Sequence, residues 1–231
     1  MEALTITAWL RWDHVRRLLP SDARTVLEIG AGLGGTGVML SRRYAYTGLE
    51  PDSISYEIAA RRNAGRVLQE RAEDHEGTYD LVCAFEVLEH IADDREALSL
   101  WRERSRKWLL ISVPMNPDRF GPSDRHAGHY RRYTRDSLSR AFAESGWTPH
   151  TMYAYGFPAG NALEAVRQRV AAAGGEGSET MLERTNASGR WLQPGDALAP
   201  VTWAAALPFR LLQRPFRNSE LGMGLVALAH R

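Results

Sequence analysis

The chain has 231 residues, 44% of them hydrophobic, enough for one sizeable core plus a small appendage. Its 29 basic and 28 acidic side chains leave a formal charge of +1, so no general field draws it to nucleic acid or anionic lipid and any such contact must be local. The single cysteine, Cys83, excludes an intramolecular disulfide; inside an apolar run it reads as a small buried hydrophobe and fits a reducing compartment.

The first residues, MEALTITAWLRWDHVRRLL, have an acidic second position and arginines after the apolar part, unlike a secretory signal. No run approaches the roughly 18 apolar residues of a membrane span, and a cytoplasmic location is expected. Leu4, Trp9, Trp12, Val15, Leu18 and Leu19 recur at mixed spacings of three and four, predicting an amphipathic helix within residues 1–20 that ends at Pro20 and covers an edge or a pocket. Trp9 and Trp12 are expected to pack rather than to touch a ligand.

From Thr25 the pattern changes to short apolar runs between helical stretches. TVLEIG, AYTGLE, RVLQE, YDLVCAF and KWLLISVP read as strands, with helices near 34–43, 53–63, 92–105 and 135–145. Alternation of this kind implies an α/β fold with a parallel sheet covered on both faces. GWTPHTMYAYGFP should hold another strand, a helix follows near 160–173, and MGLVALAHR closes the chain as a strand. Residues 174–220 form a long excursion before it, with GGEGSE as a flexible loop and APVTWAAALPFRLLQRPFRN interleaving aromatic, aliphatic and basic side chains. This insertion is expected to act as a substrate cap, with a dimer surface or an interfacial membrane contact as alternatives, and its three prolines should break any long helix.

VLEIGAGLGG places Gly30, Gly32, Gly34 and Gly35 after a strand and before a helix, where backbone can approach a ligand closely and free N–H groups face it. A nucleotide-like ligand is implied. Gly30, Gly32 and Gly35 also fit the dinucleotide fingerprint, so the glycines alone do not choose NAD over another adenosine ligand. Glu50 ends the second strand at the distance expected of a carboxylate that accepts ribose hydroxyls.

At this point the sequence resembles the class I S-adenosylmethionine-dependent methyltransferases, through EIGAGLG, GLEPD, YDLVCAFEVLEHI and the terminal LGMGLVALAHR. The resemblance selects S-adenosyl-L-methionine as cofactor. It implies one methyltransferase domain over residues 1–231, built on a Rossmann-like seven-stranded sheet with an antiparallel last strand. It places Glu28 and the Gly30, Gly32 and Gly34 loop at the methionine part, Glu50 at the ribose, and Phe85 and Glu86 beside the cofactor. Glu70, Ala72 and Glu73 are the candidates for the adenine side.

A helix starting near Glu86 would set Glu86, Glu89 and His90 on one face at the C-terminal edge of the sheet. Two carboxylates and an imidazole make an incomplete cation site, and DRHAGHYRRYTRDSL beyond the fifth strand supplies His126 and His129. The combination resembles the metal-dependent small-RNA 2′-O-methyltransferases and the quinone-biosynthesis O-methyltransferases, which puts His129 in the ligand position. The expected set is thus Glu86, Glu89, His90 and His129 around a divalent cation, Mg or Mn, with His90, His129 and Glu89 as the catalytic groups. Arg131 and Arg132 are candidate clamps for an anionic group, Tyr130 and Tyr133 anchor the loop or line the pocket, and Asn116 and Pro117 shape the acceptor side.

The function expected is methylation of a hydroxyl on a small molecule, a sugar or catechol-like natural product, with no nucleic-acid partner and with oligomerisation, if any, through the insertion. Two alternatives stand beside it: metal-free nitrogen or carbon methylation with His90 as base, and a non-catalytic adenosine-ligand-binding interaction protein.

Overall fold

The computed structural model describes residues 2, 4–63, 65–173 and 195–231. Seven strands form one sheet: β1 Thr25–Ile29, β2 Ala45–Leu49, β3 Val67–Leu68, β4 Tyr79–Phe85, β5 Ser105–Pro114, β6 Thr148–Tyr155 and β7 Gly224–His230. Their order is β3-β2-β1-β4-β5-β7-β6, parallel from β3 to β5, with β7 antiparallel to both β5 and β6. The order reverses at β1, beside β4. Chains leaving these two strands therefore part to opposite sides, and a crevice opens above their C-terminal ends.

The central strands are apolar on both faces because both are covered. Leu27, Val82, Leu109 and Ile111 pack with Leu98, Trp101, Leu138 and Phe142 from helices α4 (Asp94–Arg104) and α6 (Arg135–Glu144). Val26, Leu81, Cys83 and Leu110 point the other way, toward Leu10, Val15 and Leu18 of helix α1 (Ile6–Leu18). Thr5 caps α1, its hydroxyl accepting from the Ala8 N–H at 3.2 Å, and the helix stops before Pro20. Helices α2 (Gly35–Leu40), α3 (Ser53–Arg62), α5 (Pro122–Ala127), α7 (Ala159–Ala173) and α8 (Ala199–Leu212) complete the fold. No helix among the described residues is long and apolar enough to cross a membrane.

Two sequence expectations fail, each for a physical reason. No helix begins at Glu86: its φ of 57° is left-handed, its N–H donates to the Ser112 carbonyl of β5, and a single 3-10 turn, Leu88–His90, precedes α4. The chain has to leave the sheet sharply here, and a regular helix would carry it straight on. In the insertion, residues 174–194, which include GGEGSE, lie outside the described residues, but its later part is the continuous 14-residue helix α8. Pro200 sits in the first turn, where no N–H is required, and Pro208 lies inside the helix, giving up the one N–H that would otherwise bond back to the preceding turn.

Candidate active site

The loop from β1 to α2 is shaped by its neighbours. Gly30 has φ +72° and a Cβ there would lie 2.6 Å from Val87; Gly34 has φ +80° and would meet the Ala59 backbone at 2.8 Å. Gly34 therefore serves the close approach of α2 to α3, while Gly30 and Gly32 line a cavity of about 770 Å³ over the crevice. Glu28, Glu50, Phe85, Glu86, His90 and His129 line the same cavity, so every one of these predicted residues arrives there.

Glu50 reaches back over the loop, accepting from the Gly32 N–H at 2.7 Å and the Asp52 N–H at 3.0 Å. Burial raises its pKa, and those two N–H groups pull against the shift. Glu28 is buried beneath the loop and accepts from the Tyr46 hydroxyl at 2.6 Å; burial pushes it up to about 8, although Tyr46 and Arg11 oppose this. At the far end Glu70, Ala72 and Glu73 line the wall, where the adenine side was expected.

Beyond β4 the acid and histidine cluster divides. A ligand atom from each of Glu89, His90 and His129 lies within 4.8 Å of the other two. Glu86 stands outside this group. Its Oε1 accepts from the Ser112 hydroxyl at 2.7 Å and the Tyr155 hydroxyl at 3.1 Å, and Arg11 of α1 lies 3.5 Å away. The left-handed turn separates the two glutamates: Glu86 faces β5 and β6, whereas Glu89 turns fully inside.

Neither carboxylate oxygen of Glu89 has a hydrogen-bond partner from another residue among those described, and Nδ1 of His90 has none either. Burial, then the nearby Glu86 charge, raises the Glu89 pKa well above the ordinary value. Burial, then His129, lowers His90 to about 4, so its ring is neutral at pH 7. The two imidazoles meet edge to face with centroids 4.6 Å apart. A backbone bond from the Tyr130 N–H to the Glu89 carbonyl, 2.8 Å, ties the distant histidine loop to this turn.

His129 is held from behind. Its Nδ1–H donates to Asp124 Oδ1 at 2.9 Å, which leaves Nε2 as its free ring nitrogen. Asp124 is itself buried and fixed by Nε and Nη2 of Arg132, both at 2.8 Å. Although burial pushes Asp124 up, His129 and Arg132 hold it well below the usual carboxylate range. Arg132 also pairs with Glu164 of α7, and Arg131 with Asp94, so both expected anion clamps are already engaged within the protein.

Of the other predicted residues, His126 is exposed on α5 and outside the cluster. Tyr130 lines the cavity, Tyr133 is buried with its hydroxyl on Asp94, and Asn116 binds the Glu220 and Gly222 carbonyls, bracing the entry to β7. Trp9 and Trp12 pack in the core and do not line the cavity; Leu4, Ala8 and Arg11 of the first segment do. No residue from 195 to 222 reaches it, so its α1 side is closed by the N-terminal helix and not by α8. Arg11, Tyr155 and Asp124 are the site residues absent from the sequence reading. Asp124 lay in the quoted histidine stretch, five positions before His129, whereas Arg11 and Tyr155 carry no local signal and meet Glu86 only through the fold.

A family model described as a methyltransferase domain matches residues 7–151. No curated protein matches the chain. Among solved structures, a SAM-dependent methyltransferase from Thermotoga maritima, described as a possible histamine N-methyltransferase, aligns over 97% of this chain and 89% of its own. The identity is 18% and the TM-score 0.57. A mycolic acid cyclopropane synthase complexed with S-adenosylhomocysteine and CTAB aligns over 96% of this chain and 84% of its own, at 14% identity and TM-score 0.57. A magnesium protoporphyrin IX methyltransferase from Synechocystis with bound S-adenosylhomocysteine aligns over 65% and 75%, at 14% identity and TM-score 0.52. At these identities the likeness is one of fold. The family match, which spans the glycine loop, Glu50 and the acid and histidine cluster, makes the chain a member of the methyltransferase-domain family and an S-adenosylmethionine-dependent methyltransferase.

Proposed function

We propose that this family member transfers the methyl group of S-adenosylmethionine to a hydroxyl oxygen of a small molecule, a sugar or catechol-like natural product, beside a divalent cation held by Glu89, His90 and His129. The observation that carries the proposal is the convergence of these three ligand atoms within 4.8 Å, one from a buried carboxylate that no other described residue satisfies. An unpaired carboxylate in the interior is costly unless something answers it. The Asp124 contact behind His129 is the second-layer support that metal-ligating imidazoles generally receive. One carboxylate with two imidazoles fits Mn, Fe, Co or Zn better than Mg, which prefers oxygen ligands.

Such a cation, when bound, supplies Lewis acidity that lowers the pKa of a nearby hydroxyl. The remaining work belongs to the chain. The Gly30 to Gly32 backbone and Glu50 hold the cofactor, and Phe85 and Glu86 border it. Asp124 keeps the proton on Nδ1 of His129 and the Nε2 lone pair toward the cluster. The Arg11 and Tyr155 contacts fix Glu86 at the cavity wall, so the acceptor meets a preset polar surface. In the transfer the sulfur–methyl bond breaks as the oxygen–methyl bond forms. The hydroxyl's proton passes to solvent water, and S-adenosylhomocysteine leaves neutral at sulfur.

The test pairs metal binding with turnover. Protein stripped by a chelator is titrated calorimetrically with Mn, and S-adenosylmethionine consumption is followed against a panel of sugar and catechol hydroxyl compounds. Stoichiometric Mn binding is expected, with activity restored by the metal. Glu89→Gln and His129→Asn should each weaken Mn binding and activity by about 100-fold while S-adenosylhomocysteine binding stays near native. Activity indifferent to the chelator would discard the cation and leave His90 as a metal-free base. Methylation confined to amines on a widened panel would discard the hydroxyl acceptor.

A further inference from the structure

Helix α8 is built inside out. Its one charged residue, Arg210, is buried, while Val201, Leu207, Phe209, Leu211 and Leu212 are exposed to between 37% and 61%. On a helix that ends at solvent the reverse is expected, because a charge is cheap in water and costly inside. Arg210 is drawn in by Asp13 of α1, a fully buried carboxylate that also contacts Arg16, Arg17 and Arg214. Four guanidinium groups thus share one carboxylate, an excess of three positive charges at the seam between α1 and α8.

The charge continues past the helix. From position 197 to 219 the charged residues are Arg210, Arg214 and Arg217, all basic, and the next acid is Glu220. The chain as a whole is nearly neutral, so this is a local concentration of charge beside a local apolar face.

We propose that α8 seats the protein on the surface of an anionic lipid bilayer, its exposed leucines and Phe209 entering the interface while Arg16, Arg17, Arg214 and Arg217 meet the headgroups. At about 21 Å the helix is too short to cross a hydrocarbon core of about 30 Å, so it lies along the surface. Apolar side chains rimmed by arginine are the chemistry of interfacial helices. Charge complementarity favours lipid over a second copy of the chain: a twofold contact through α8 would bring two basic clusters toward one seam, with no acid in positions 197–219 to answer them. The docking does not depend on which acceptor is methylated.

The experiment is co-sedimentation of the full chain with vesicles of phosphatidylcholine alone or mixed with phosphatidylglycerol, across a salt series, alongside sedimentation equilibrium without lipid. Binding is expected to the mixed vesicles, to weaken with salt, and to fall about tenfold or more in the double variant Phe209→Ser with Leu212→Ser. Both side chains are exposed, so the thermal midpoint should not move; a second pair, Val201→Ser with Leu211→Ser, repeats the test on the same face. Failure to bind the mixed vesicles, or equal binding to phosphatidylcholine alone, overturns the proposal. So does a dimer without lipid that either double variant dissociates, since a second copy then occupies the face.

Discussion

Glu28 is a carboxyl group that the fold keeps from ionising. Its pKa of about 8 lies above the ordinary value, so the folded protein retains a proton that the unfolded chain releases between those two values. The stability associated with this group is therefore complete below its unfolded pKa and is lost as pH rises through about 8. Without cofactor, Glu28→Gln keeps an acceptor for the Tyr46 hydroxyl and removes the titration. Its thermal midpoint should match the native protein near pH 4 and exceed it at pH 9; equal slopes in both proteins would refute the assignment. Glu28 was legible in the sequence because it precedes a glycine loop, as Glu50 was because it ends the next strand. Its protonation was not, since that depends on the walls packed around it. Glu86 shows the same division: its place after β4 was visible, but a left-handed φ and the contacts with Ser112, Tyr155 and Arg11 remove it from the group that Glu89 joins.

Between elements, the seam of α1 and α8 is fastened by Asp13. Although burial pushes that carboxyl up, Arg214 and Arg16 bring it down to about 2, so it stays charged and answers the buried Arg210. Asp13→Ala strands Arg210 and should cost about 3 kcal/mol in denaturant unfolding. Arg16→Ala at an exposed arm of the cluster should cost under about 1 kcal/mol, and comparable losses in the two variants would count against a buried anchor. Strands and helices were readable here because a short apolar run reports a strand covered on both faces and spacings of three and four report the buried side of a helix. The turn at Glu86 and the helix α8 were not. Each breaks a local rule, a non-glycine residue with positive φ and a proline inside a helix, and only contacts from elsewhere in the chain make the break tolerable.

At the scale of the molecule, the cavity is assembled from segments that follow β1, β2, β3, β4 and β5 together with the start of α1. A ligand that fills it ties all of these together and stabilises the folded state by mass action. S-adenosylhomocysteine at about 100 times its dissociation constant should add about 2.7 kcal/mol, a thermal shift of roughly 5 to 10 °C for a chain of this size. Glu50→Ala, which also frees the Gly32 N–H, should abolish most of that shift; an unchanged shift would place the ligand elsewhere.

The sequence by itself determined the alternation of strands and helices, the glycine loop with its two acids, the place of Glu89 and His90 just after the fourth strand, and that of His129 in the stretch beyond the fifth. These are local facts, written in periodicity and in residues next to a strand end. Tertiary structure alone decided that Glu89 and not Glu86 meets the histidines, that Asp124 stands behind His129, that α1 rather than α8 closes over the cavity, and that Arg210 turns inward while its apolar neighbours face out. Each of these turns on which distant groups share a dry space, and the free energy of a buried charge or an exposed leucine is set by that company and not by the residues on either side.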